Sequence, residues 1–159
     1  MPIFLIYLQL EPYLRDWFVK RHGGNTPVRL IRGSIESKRL RLLLETPPDN
    51  YIPQPQPEDR LSVVVPAFPG KDYRYHNYLS PTSQIAMVNT IRDIFDMELH
   101  DFYTKSYVKG ARIDYMIEAW MDKNGIAYND TSYNAVKKRL DRIRNIVRCH
   151  KYRNRQKRQ

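Results

Sequence analysis

The chain has 159 residues, enough for one domain of ordinary size or two small lobes with a core that needs no covalent staples. An apolar share of 42% with 12 Tyr, 5 Phe and 2 Trp excludes global disorder, and a formal charge of +10 calls for a polyanionic partner. Cys149 is the single cysteine, which excludes an intramolecular disulfide and fits a reducing compartment.

Ile3 to Leu10 is a continuous apolar run bounded by Pro2 and Pro12 and predicts a buried strand. It lacks a basic leader and a small-residue cleavage site, and Glu11-Pro12 stops it too soon to cross a bilayer, so a cytoplasmic chain without membrane contact is expected. Pro12 suits a helix start, Leu14, Trp17, Phe18 and Arg21 follow at helical spacing, and Gly23-Gly24 supplies a stop. Thr26 to Arg32 reads as a second strand around Val28 and Leu30.

Ser34 can cap a helix with Ile35, Leu42 and Leu43 on its inner face, although Leu40, Leu42 and Leu44 also alternate with Arg39 and Arg41 as a strand would; the helix is preferred. Five prolines between Pro47 and Pro57 make an extended belt, and Leu61 to Val65, ended by Pro66, is a third strand. The segment Asp72 to Tyr78, which holds Tyr73-Arg74-Tyr75-His76, is a polar, aromatic loop.

Helices take over after that loop. Ser80-Pro81 is a cap followed by proline at the first helical position, and Ile85, Val88, Ile91, Phe95, Leu99 and Phe102 form one stripe, which a cap at Asp96 would split. Ile113, Met116, Ile117, Trp120 and Met121 fit the amphipathic template in full and end at Asn124-Gly125. A last helix, capped at Asp130 or Thr131, sets Val136, Leu140, Ile143 and Val147 on one seam and frays near His150. The expected class is α+β: a mixed α/β half over 1–66 with about three strands, a loop over 67–79, a helical helix-turn-helix-like half over 80–150, and a disordered basic tail over 151–159.

From Lys137 onward stand eleven Lys or Arg and one acid, Asp141, a net +10 that equals the charge of the whole chain. Charge sorted into one end is the footprint of a nucleic-acid grip. A hydrophobic helix, a turn and a basic helix with a dry seam match the needs of a helix-turn-helix, in which residues early in the second helix reach base edges. On that pattern Ser132, Asn134, Lys137 and Lys138 read bases, and Arg142, Arg144 and Arg148 hold the backbone. Lys151, Arg153, Arg155, Lys157 and Arg158 grip phosphates from the tail, giving log K against log salt a slope of roughly −4 to −5. Duplex DNA is the preferred target. An RNA- or ribosome-associated module, or a scaffold whose Pro-rich belt or α/β half docks a protein, are the alternatives.

Catalytic chemistry finds little purchase. His76-Asn77 has no second ligand set, and Glu58-Asp59 has no partner acid and lysine for a two-metal site. Arg148, His150, Tyr152 and Arg153 are too crowded to surround a phosphate, and Cys149-His150 alone cannot hold zinc. No catalytic residue, metal ligand or cofactor is assigned, and a non-enzymatic protein is expected.

The run Ile91-Arg92-Asp93-Ile94-Phe95-Asp96-Met97-Glu98-Leu99-His100-Asp101-Phe102, the helix after it, and Asp130-Thr131-Ser132-Tyr133-Asn134-Ala135-Val136 together resemble the helical DNA-binding domain of bacterial replication initiators. That similarity covers about 60 residues and implies that Thr131, Ser132 and Val136 sit at the start of a recognition helix. The whole chain also resembles small basic proteins of bacterial mobile elements and prophages, a likeness that implies no activity.

Overall fold

The computed structural model describes residues 2–53, 55 and 58–157. The chain forms two compact units, Met1–Asp93 and Ile94–Gln159. Among the described residues two strands, β1 (Leu5–Leu8) and β2 (Leu61–Val64), and five helices appear in the order β1, α1 (Pro12–Arg21), α2 (Ile35–Leu43), β2, α3 (Pro81–Ser106), α4 (Ile113–Lys123) and α5 (Asp130–Gln156). Pro57 of the expected belt and Arg158 of the expected tail lie outside the described residues. The helical part was expected from residue 80; here the first unit also takes α3 as far as Asp93.

In the first unit β1 and β2 pair antiparallel, Leu5 opposite Val64 and Leu8 opposite Leu61. β2 is buried on both faces, as its β-branched, apolar residues require. The second expected strand, over 26–32, is reduced to one bridge: Val28 N–H donates to Ser62 O and Val28 O accepts from Val64 N–H, both at 2.9 Å. The ladder stops there because Pro27 has no N–H to give and the Ile31 N–H is spent on His22 Nδ1 at 3.1 Å. α1 seats Tyr13, Leu14, Trp17 and Phe18 in the core, and Pro12 at its first turn needs no partner for a missing N–H.

α2 is capped by Ser34, whose side chain accepts from Ser37 N–H at 3.2 Å, but the helix is rotated from the expected phase. Ile35 is 51% and Leu42 74% exposed, while Glu36, Ser37 and Leu40 are buried. The cause is a buried ion cluster. Glu36, with 0% exposure, receives Arg21 Nε on Oε1, and His22 Nε2 lies 3.5 Å from the same oxygen. Because His22 Nδ1 accepts from Ile31 N–H, its neutral ring carries the proton on Nε2, facing the carboxylate. Burial alone would push the Glu36 carboxyl up, yet the hydrogen bonds from His22 and Arg21 outweigh it and hold the group at about 2. A helix scored by its apolar residues is thus turned by one paired charge.

The loop after β2 is satisfied locally. Asp72 Oδ1 accepts from Arg74 N–H at 2.9 Å, Asp72 O accepts from the His76 N–H at 2.9 Å, and Asn77 Nδ2 donates to Tyr73 O at 3.0 Å. Tyr73 lies against Phe4 with ring centroids 5.8 Å apart, so only Tyr75 offers a free ring face here.

The second unit is built from the end of α3 with α4 and α5. α3 begins as expected at Ser80, whose Oγ accepts from Ser83 N–H at 3.2 Å, but Asp96 does not interrupt it. Asp96 instead accepts both of its bonds from Arg139 Nη1, at 2.9 and 2.8 Å. Ile85 falls off the expected stripe at 63% exposure, whereas Val88, Ile91, Phe95 and Leu99 are buried. Trp120 of α4 meets Phe95 edge-on at 5.9 Å and Phe102 at 5.3 Å. Gly125 (φ +65°) ends α4 with Ile126 N–H donating to Met121 O at 2.9 Å, a left-handed cap that buries Ile126 over the last turn.

Candidate nucleic-acid interface

α5 runs 27 residues, about 40 Å at 1.5 Å per residue. Its cap is Asn129, one residue before the expected position, with Oδ1 accepting from Ser132 N–H at 2.9 Å. The expected disordered tail is corrected: 151–156 continue the helix. No Gly or Pro follows Gly125, and Lys, Arg and Gln propagate a helix that the preceding turns have already nucleated.

Val136 and Leu140 are fully packed, Ile143 and Val147 only half-buried, and everything from Arg148 to Lys157 is exposed. Asp96 pairs with Arg139, and further along both helices the Arg144 guanidinium lies 5.7 Å from the Tyr103 ring centre, so α3 and α5 run in the same sense. α3 ends at Ser106, and the last turns of α5 therefore extend past the packed part of the unit.

Placing successive residues 100° apart sorts the exposed side chains of α5. Opposite the buried seam runs a centreline of Asn134, Lys138, Asn145, Tyr152 and Gln156. One flank carries Lys137, Arg148, Lys151 and Arg155, and the other Arg142, Arg153 and Lys157. Amide and phenol groups, with the single cation Lys138, thus lie between two rails of cations.

Of the expected site residues, Asn134, Lys137, Lys138, Arg142, Arg148, Lys151, Arg153, Arg155 and Lys157 are exposed on this helix. Ser132 is a correction: at 2% exposure it packs beneath the first turn, where the Asn129 cap directs the chain, and cannot reach a base. Arg144 is partly spent, 3.6 Å from Asp141 and stacked toward Tyr103. Tyr152 and Gln156 are not legible as members of this line in sequence, because a segment expected to be disordered has no helical phase; Asn145 lies on the same line. Lys38 and Arg41 belong to the first unit, where they line an open groove of about 640 Å³; Arg41 Nη2 donates to Pro69 O at 2.7 Å.

α4 carries the opposite charge. Asp114, Glu118 and Asp122 recur every four residues and make one acidic ridge. Asp114 Oδ1 accepts from Tyr133 Oη at 2.8 Å, tying the first turn of α5 to α4, and this bond, with burial and nearby acids, pushes the Tyr133 phenol up to about 12. The stabilisation is present below the ordinary value of 10 and lost as pH rises through about 12. Tyr133→Phe should cost about 1 kcal/mol at neutral pH, since the bond is partly screened, and remove a step near pH 12 from a spectrophotometric tyrosine titration.

Among the described residues no group of three or more His, Cys, Asp or Glu is placed to hold a metal ion, and no helix is long and apolar enough to cross a membrane. No protein-family model, curated protein or solved structure matches the chain.

Proposed function

We propose that the protein is a non-enzymatic DNA-binding protein that lays α5 in the major groove of a duplex, with α4 and the turn before α5 as a helix-turn-helix-like support. The observation that carries this reading is the polar centreline between two basic rails. A helix 10–12 Å across fits a groove about 12 Å wide, cations on both flanks meet phosphates on both walls, and amides between them face base edges.

The acidic ridge of α4 moves the contact along the helix. Phosphates are repelled near Asp114, Glu118 and Asp122, so the grip falls on Arg142 to Lys157 rather than on the first turn of α5. A regulator, or an accessory factor of replication or of a mobile element, would use such a site.

Duplex DNA separates this reading from an RNA-associated one, because the deep, narrow major groove of A-form RNA does not admit a helix. In fluorescence anisotropy at two salt concentrations, duplex DNA should bind more tightly than duplex or single-stranded RNA of the same sequence. Tighter binding to either RNA at both salts would replace the DNA reading. Asn145→Ala should reduce discrimination between DNA sequences by about 1–3 kcal/mol and leave non-specific affinity nearly unchanged.

A further inference from the structure

An open groove of about 610 Å³ lies where α4 turns toward α5, lined by Glu118, Met121, Asp122, Ile126 and Tyr128. Its floor is apolar and its rim acidic: Met121 and Ile126 are covered, Tyr128 is 66% exposed, and Glu118 and Asp122 stand free in solvent. Lys123, the nearest cation in sequence, is engaged 5.8 Å from the Phe102 ring centre. Such a groove selects a basic segment that also offers apolar side chains. The chain contains one. The carboxy-terminal part of α5 exposes Ile146 (59%) and Tyr152 (65%) among Arg148, Lys151, Arg153 and Arg155.

That segment cannot fill the groove of its own chain. The groove ends at Tyr128, two residues before α5 starts, and the basic turns sit at the far end of a helix about 40 Å long. We infer that the groove binds the basic end of α5 from a second copy of the chain. α5 is polarised, with Asp130 and the α4 ridge at one end and the cations at the other. Two copies related by a two-fold axis therefore place each basic end against the other's acidic groove and satisfy both at once. Duplex DNA draws on the same cations, so DNA binding and pairing are mutually exclusive.

Sedimentation equilibrium of the full chain without DNA tests the pairing, and its failure leaves the DNA reading untouched. Raising salt from about 0.1 M to about 1 M shortens the screening length from about 10 Å to about 3 Å. The mass should then fall from twice to once 19.1 kDa. Glu118→Lys with Asp122→Lys, and separately Arg148→Glu with Arg153→Glu, should each remain single at low salt, and an equimolar mixture of the two variants should recover association through one unaltered and one charge-reversed contact. Cys149, exposed on the basic end, supplies a second readout that needs no charge change. Under mild oxidation Tyr128→Cys should link chains in pairs through Cys149, and adding Cys149→Ser should abolish the link. A wild-type protein that stays single at low salt, charge variants that associate as the wild type does, or a Tyr128→Cys variant that links no better than wild type would each overturn the inference.

Discussion

Glu36→Ala should lower the stability of the protein by about 3–5 kcal/mol in urea unfolding, because it leaves the Arg21 guanidinium and the His22 ring without the carboxylate they face. That is a large part of the 5–15 kcal/mol available to a domain, so the variant should be extensively unfolded at moderate urea. The carboxylate has no exposed surface, and Arg21 keeps only 25% of its side-chain surface, so solvent replaces the lost partner only in part. Arg21 also lies 5.5 Å from the Trp17 ring centre, and His22 meets the Phe18 ring at 4.7 Å, so the loss spreads to the α1 core contacts.

The acid limb of the stability curve follows from the same group. The carboxyl titrates at about 2 when folded against an ordinary 4.5, so the folded state binds its proton less readily than the unfolded chain. Its contribution is therefore complete above about pH 5 and disappears as pH falls through about 2. Glu36→Gln keeps the shape and removes the charge. Between pH 5 and 2 it should show a shallower loss of stability than the wild type; an equal slope would mean that other carboxylates govern acid unfolding.

This cluster also marks where sequence reasoning stops. The strands around Ile6 and Val63, the helix starts at Pro12, Ser34 and Ser80, and the stop at Gly125 are legible because each rests on a local rule of period, cap or left-handed glycine. The phase of α2 is not, because it is decided by Arg21 and His22, residues from another helix whose nearness no period reveals. The same holds for Asp96, which looks like a cap in sequence and is an Arg139 acceptor in the fold. The lost strand at 26–32 fails for a local reason, Pro27, and a non-local one, the His22 ring that takes the Ile31 N–H.

In the candidate interface, the cations were legible from charge alone, but their arrangement was not. A run such as Lys151-Tyr152-Arg153-Asn154-Arg155 has no repeated apolar position to fix a helical phase, and only the upstream anchor at Val136 and Leu140 supplies one. The acidic ridge of α4 was equally readable at 114, 118 and 122; its weight lies in where the turn at Gly125 brings it, beside the first turn of α5.

Whether the end of α5 acts as a rod or as loose charge is decided by a substitution that alters no charge. Cys149→Pro removes one helical hydrogen bond and clashes with the carbonyl of Asn145, at a cost of about 3 kcal/mol or more to the last turns, while Val136, Leu140, Ile143 and Val147 stay upstream of the break. If the rod positions Tyr152 and Gln156 over base edges, affinity for a preferred duplex should fall about 10- to 100-fold, with the salt slope kept within about one unit, because the cations remain. Cys149→Ala controls for loss of the thiol. Truncation after His150 removes the cations as well, and should flatten the slope by roughly 4 to 5 and weaken binding on the order of 10³-fold at 0.1 M salt. Were Cys149→Pro to bind as the wild type does while the truncation failed, the last turns would be a phosphate grip whose helical form is incidental, and sequence readout would rest on Asn134, Lys138 and Asn145, on the turns anchored by Val136 and Leu140.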